Sequence, residues 1–259
     1  MLATMEELFD MHCHLGFTPD PAATATAGAA DGISAFACTV EPAEYQRLLP
    51  VLASSANVAL GLGAHPWWIA DGRVVERELE EFYALAPAAP FIGEIGLDFA
   101  GERDTPESRA LLTSAFARIL DACNQGADGK LLSLHAVKSA DTVLDLLEQA
   151  GTLARHRVIF HWFSGTSDDL ARAVRAGCFF SVGPRMLASR RGREYARQIP
   201  LPQLVLETDG PPKEEDSLPP EVWRAELGNA LAGISQLKQM NRDELAAHLA
   251  ETSRLLLGL

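Results

Sequence analysis

Eight short apolar runs, each followed by a longer segment with helical patterning, constrain this chain more than any other feature. The runs are Leu8–His14, Ile33–Val40, Val58–His65, Phe91–Leu97, Leu131–His135, Val158–His161, Cys178–Val182 and Leu204–Thr208. Between them the spacing predicts helices over Pro42–Ala53, Val74–Ala86, Pro106–Gln125, Ala140–Ala150, Asp168–Ala176 and Leu187–Gln198, with two more after the last run. Leu111, Leu112, Ala115, Phe116, Ile119 and Leu120 form one clear helical stripe. Thr105-Pro106-Glu107-Ser108 and Ser167-Asp168-Asp169 read as helix starts, and Gly151 and Gly177 as helix ends. Pro19–Gly32, rich in Ala and Thr, reads as a short, poor helix, and Gly210–Pro220 as a loop. Strand–helix alternation repeated eight times predicts an α/β fold, specifically a TIM (β/α)8 barrel. The 259 residues suit one such domain over 1–259. An open doubly wound sheet would require a Gly-rich phosphate turn after the first strand, and Leu15-Gly16-Phe17 is not one.

Charge narrows the function. Lys and Arg number 22 against 35 Asp and Glu, a net charge of −13. Overall charge therefore does not draw this chain to nucleic acid or to anionic membranes. Cys13, Cys38, Cys123 and Cys178 form no C-x-x-C pair and read as reduced core thiols. No basic and apolar leader opens the sequence, and no run reaches the roughly 20 apolar residues of a membrane span. The expectation is a cytoplasmic protein with no membrane association and no obligate protein partner.

The polar residues at the ends of the apolar runs carry the chemistry. In Asp10-Met11-His12-Cys13-His14 the two imidazoles are two residues apart, so on a strand they share one face while Cys13 faces away. Asp10 shares their face and is placed to orient one of them. Glu94 lies near the end of the fourth run, His135 closes the fifth, His161 closes the sixth, and Asp209 follows the eighth. In a barrel these C-terminal ends converge on one mouth, where active sites are built. Four histidines and two carboxylates suit one or two divalent metal ions, Zn2+ or Mn2+ before Mg2+, and two are expected here. His12, His14 and Asp209 are expected to share one ion and His135 and His161 to hold the second, with Glu94 bridging. His65, in Gly63-Ala64-His65-Pro66, reads as a substrate contact or a donor behind the ligands. Lys138 and Arg185 are candidate phosphate contacts. Arg185 opens a basic cluster with Arg190, Arg191, Arg193 and Arg197. Trp67, Trp68 and Trp162 also follow strand ends and read as cover for the rim, with base stacking the alternative. His156 and His248 read as surface or helix-packing residues.

Five segments together resemble the TatD family of metal-dependent hydrolases. They are Asp10-Met11-His12-Cys13-His14-Leu15, Gly63-Ala64-His65-Pro66, Gly93-Glu94-Ile95-Gly96-Leu97-Asp98, His161-Trp162-Phe163-Ser164-Gly165 and Glu207-Thr208-Asp209, in the family's order. The resemblance implies an amidohydrolase-like barrel with deoxyribonuclease activity. It implies metal binding by His12, His14, Glu94, His135, His161 and Asp209, and a substrate-facing role for His65. The sequence departs from the family pattern at Val137, where an Arg is usual.

The expected reaction is hydrolysis of a phosphodiester, with DNA as the expected substrate, through a hydroxide activated by two metals. Asp209 and Glu94 are the catalytic carboxylates of that reading, Asp209 handling the water and Glu94 setting the metal spacing. The same ligand types suit a barrel hydrolase acting on an amide, ester or lactone. A metal-binding module without turnover is the remaining reading.

Overall fold

A computed structural model describes residues 6–259. Eight strands alternate with helices along the chain. They are β1 (Leu8–Cys13), β2 (Ile33–Cys38), β3 (Val58–Gly61), β4 (Phe91–Asp98), β5 (Leu131–Val137), β6 (Arg157–His161), β7 (Phe179–Val182) and β8 (Leu204–Leu206). The helices are α1 (Pro21–Ala30), α2 (Pro42–Leu52), α3 (Pro66–Ala70), α4 (Glu76–Leu85), α5 (Pro106–Asn124), α6 (Ala140–Gln149), α7 (Ser167–Arg175), α8 (Pro184–Ala188), α9 (Arg190–Gln198), α10 (Pro220–Lys238) and α11 (Arg242–Leu257).

Every expected strand forms, but several stop early. The third run was expected to reach His65, yet β3 ends at Gly61. The reason is local: His65 caps α3 instead, its Nδ1 accepting from Trp67 N at 3.1 Å. Pro66 at the first helical position fixes the turn. The helix expected over Leu187–Gln198 is interrupted. Ser189 takes an extended conformation and its hydroxyl accepts from Gly192 N at 2.8 Å, ending α8 and starting α9. Pro21–Ala30 is a regular ten-residue helix capped by Asp20, stronger than its composition suggests.

The chain divides into two compact units. Among the described residues, one comprises 6–37, 48–59 and 180–259. In it β1 runs parallel to β2, and β7 parallel to β8. Trp223, Leu227, Leu231 and Ile234 make the inner face of α10 and are fully buried. The other unit comprises 38–47 and 60–179. Its strands β4, β5 and β6 pair in parallel. Phe82, Phe116, Phe160 and Phe163 fill its core, the last two meeting edge to face at 5.7 Å. Strands buried along nearly their whole length, as here, are those of a parallel sheet covered on both faces.

Two glycines fix close approaches in the second unit. At Gly63 a Cβ would lie 1.6 Å from the Thr39 carbonyl oxygen. At Gly96, φ is +137° and a Cβ would lie 2.1 Å from the His135 carbonyl oxygen. Only glycine allows β4 to pass so close to the residue that carries the His135 ring.

Candidate metal centre

In the first unit, His12 and His14 converge on one carboxylate. His12 Nε2 lies 3.8 Å and His14 Nε2 3.4 Å from Asp209 Oδ1. Both imidazoles are buried. The backbone aligns them, since His12 O accepts from Asp209 N at 2.9 Å and Gly210 O accepts from His14 N at 2.8 Å. Cys13, between them, directs its thiol to the Phe36 carbonyl of β2 at 3.8 Å. Separations of 3.4 and 3.8 Å are long for hydrogen bonds. They are close to the roughly 3.4 Å between two tetrahedral ligands each about 2.1 Å from an ion. The donor set and its spacing therefore fit a divalent cation.

Asp209 has φ +55°, a left-handed conformation that costs a non-glycine residue free energy. Its other oxygen, Oδ2, accepts from Arg185 Nη1 at 2.9 Å. Arg185 sits on α8 and its side chain is 38% exposed. The expectation for Asp10 needs correction. Its carboxylate orients no imidazole among the described residues. Oδ2 accepts from Thr208 Oγ1 at 2.5 Å and Trp223 Nε1 at 2.7 Å. Oδ1 accepts from Thr208 N at 2.9 Å and His12 N at 3.3 Å. Asp10 thus ties β1 to the Thr208-Asp209 segment and to α10, and fixes the backbone that carries the ligands. Burial raises its pKa to about 7, against the lowering effect of these four hydrogen bonds.

In the second unit three imidazoles surround one oxygen, Glu94 Oε1. His135 Nδ1 and His161 Nε2 each lie 2.8 Å from it, and His65 Nε2 lies 3.3 Å from it. His65 Nδ1 is an acceptor, so its proton sits on Nε2 and points at Glu94. This leaves His65 a donor to Glu94. A carboxylate oxygen offers two lone pairs, fewer than the ring nitrogens that crowd it. Replacing the protons of His135 and His161 by one cation relieves the crowding, and the nitrogen and oxygen donors present are those such an ion takes. His65, Glu94 and His135 offer ligand atoms all within 4.8 Å of one another.

Asp98 was not singled out from the sequence. Its Oδ2 lies 2.9 Å from His135 Nε2, on the side of the ring away from Glu94. Burial opposes ionisation of Asp98, but its hydrogen bonds to His135 and Trp67 outweigh that and hold it at about 2. For His135, burial opposes protonation, but Asp98 and Glu94 outweigh it and lift the ring to about 9. A carboxylate behind a ligating histidine fixes its tautomer and raises its basicity as a ligand. The signal was there in period two: Glu94, Gly96 and Asp98 share one face of β4. Lys138, expected near a phosphate, is exposed with φ +53°. Trp162 follows His161 with φ +39°, strained for a bulky side chain.

Strand-end imidazoles and carboxylates on parallel strands of an α/β fold are the donor arrangement of a class, the metal-dependent barrel hydrolases. Comparison with known proteins gives the family. Residues 9–258 match the family model described as TatD related DNase, and the chain belongs to that family. The Escherichia coli K12 protein YjjV, an uncharacterized metal-dependent hydrolase, is 26% identical over 96% of this chain and 97% of its own. The 3'-5' ssDNA/RNA exonuclease TatD of Erwinia amylovora is 27% identical over 83% of this chain and 85% of its own. Human deoxyribonuclease TATDN3 is 27% identical, but the match spans 60% of this chain and 54% of that protein. The crystal structure of YjjV superposes with a TM-score of 0.79 at 22% identity, covering 99% of this chain and all of that one. A TatD family hydrolase from Entamoeba histolytica gives 0.77 at 16% identity over 98% of this chain and 99% of its own. The fold is the α/β TIM barrel of these proteins.

Proposed function

We propose that this chain hydrolyses phosphodiester bonds of single-stranded nucleic acid with two divalent cations. His12, His14 and Asp209 are the ligands of one ion, and Glu94, His135 and His161 those of the other. Zn2+ and Mn2+ suit these donors better than Mg2+. The observation that carries the reading is the convergence of His65, His135 and His161 on a single oxygen of buried Glu94. The names of the TatD relatives support the substrate class. No helix among the described residues is long and apolar enough to cross a membrane.

Cations bound at these donors lower the pKa of water towards 7 and take up charge on the phosphoryl oxygens. The protein's own groups do the rest. Asp209 accepts the proton of the attacking water through a carboxylate that Arg185 holds in place. Arg185, half exposed, also presents a guanidinium to a phosphate oxygen. His65 donates to Glu94 and fixes the oxygen that the His135 and His161 rings face. Asp98 holds the His135 ring from behind. Purified protein stripped of metal and assayed on single-stranded DNA with added Mn2+ or Zn2+ tests the reading. Activity confined to amides, esters or lactones rejects it.

A further inference from the structure

Trp67 stands out among the tryptophans because it is exposed yet rigidly held. The residue is 43% exposed, on the first turn of α3, two positions after His65. Its Nε1 donates to Asp98 Oδ2 at 2.5 Å, the same oxygen that lies 2.9 Å from His135 Nε2. The indole meets the His65 ring at 5.1 Å and the His135 ring at 5.8 Å, steeply inclined to both. One face carries the Arg103 guanidinium at 4.8 Å, and Arg103 Nε lies 3.6 Å from Asp98 Oδ1. Among the described residues no ring lies parallel to the indole. Trp68 differs, being half-buried with Arg73 over it.

Simple cover for the rim does not need this arrangement. Covering asks only for apolar area, whereas here a buried carboxylate, an arginine and two imidazoles fix the tilt of an exposed ring. A flat aromatic surface held by these contacts beside a candidate phosphodiester centre suits a nucleobase, which stacks regardless of its identity. We propose that Trp67, with Arg103 behind it, is the stacking platform for the base of the nucleotide whose phosphate reaches the Glu94, His135 and His161 cluster. The ligand class is a nucleobase of a single strand. Asp98 joins the two functions, since one oxygen sets both the indole and the His135 ring. The proposal rests on the nuclease reading above.

The test uses metal-loaded full-length protein and two single-stranded oligonucleotides, identical except that one lacks the base at the terminal nucleotide. Cleavage rates and equilibrium binding are measured for the wild type, Trp67→Ala, Trp67→Phe and Arg103→Ala, with bound metal counted in each. Stacking predicts that the wild type prefers the intact base by roughly 10-fold or more in binding. Trp67→Ala then loses that preference while still acting on the abasic strand with its metal retained, and Trp67→Phe keeps most of it. Equal handling of both strands by the wild type overturns the proposal. So does a Trp67→Ala loss that is the same for both strands and follows loss of metal. If the wild type cleaves neither strand, the nuclease reading fails. The platform is then judged on binding alone, where a preference that depends on Trp67 supports it and equal binding overturns it.

Discussion

The two candidate ligand sets are built differently. In the first unit the carboxylate is the accessible member: the Asp209 side chain is 17% exposed, lies on a left-handed residue after β8, and shares its second oxygen with Arg185. In the second unit the carboxylate is the enclosed member: the Glu94 side chain is 2% exposed, lies within β4, and is ringed by imidazoles. Supporting groups follow the same division. Asp10 steadies backbone through Thr208 and Trp223, whereas Asp98 steadies a ligand ring directly. On the proposed reading, the first set reacts with what solvent delivers and the second holds charge in place.

The comparison breaks first at Asp209. Asp209→Asn is expected to lower turnover roughly 10²- to 10⁴-fold, with the melting temperature unchanged. Near-normal turnover removes Asp209 from proton transfer. Glu94→Gln is expected to behave differently, losing both bound metal and stability. A neutral amide facing a protonated His135 costs roughly 3 kcal/mol, read by urea unfolding of the metal-free protein. If Glu94→Gln lowers turnover without touching stability, the two carboxylates are equivalent and the contrast is wrong.

Smaller effects sharpen the contrast between the supports. Asp98→Asn is expected to weaken metal affinity roughly 10- to 100-fold, with activity recovered at high metal concentration. Asp10→Ala leaves Trp223 Nε1 and the Thr208 hydroxyl and amide without their acceptor. It is expected to cost roughly 2 kcal/mol of stability and to be poorly rescued by metal. The smallest effect lies outside both sets. Burial lowers the pKa of His156 below 6.5, with Lys130 and Arg155 adding to the shift. The unfolded chain then takes up a proton that the folded chain refuses. The stabilising contribution is complete above pH 6.5 and is lost as pH falls through the lower folded value. His156→Gln is expected to flatten that acid limb of a stability profile while leaving turnover alone.

Much of this was legible in the sequence for a physical reason. A strand buried on both faces must be an apolar run, so all eight announce themselves. A candidate ligand then stands out as a polar residue at or near the C-terminal end of that run, as with His161 at the end of β6 and His135 towards the end of β5. What was not legible depends on partners distant in sequence. Nothing near Asp98 reveals that it meets His135, 37 residues on. Nothing near Asp10 reveals Trp223, 213 residues away. Both carboxylates were visible as residue types at suggestive positions, but their partners are set by tertiary pairing. Lys138 is a different case: it is exposed, and its expected partner is a substrate phosphate rather than a residue of the chain.

The account depends most on metal-dependent phosphodiester cleavage through these donors. The direct measurement is cleavage of a single-stranded oligonucleotide by chelator-treated protein titrated with Mn2+ or Zn2+, with bound metal counted at each point. No cleavage is expected without metal, and activity is expected to rise to a plateau as two ions bind per chain. Cleavage that persists in the metal-free protein, or an intact oligonucleotide at full metal occupancy, would contradict it.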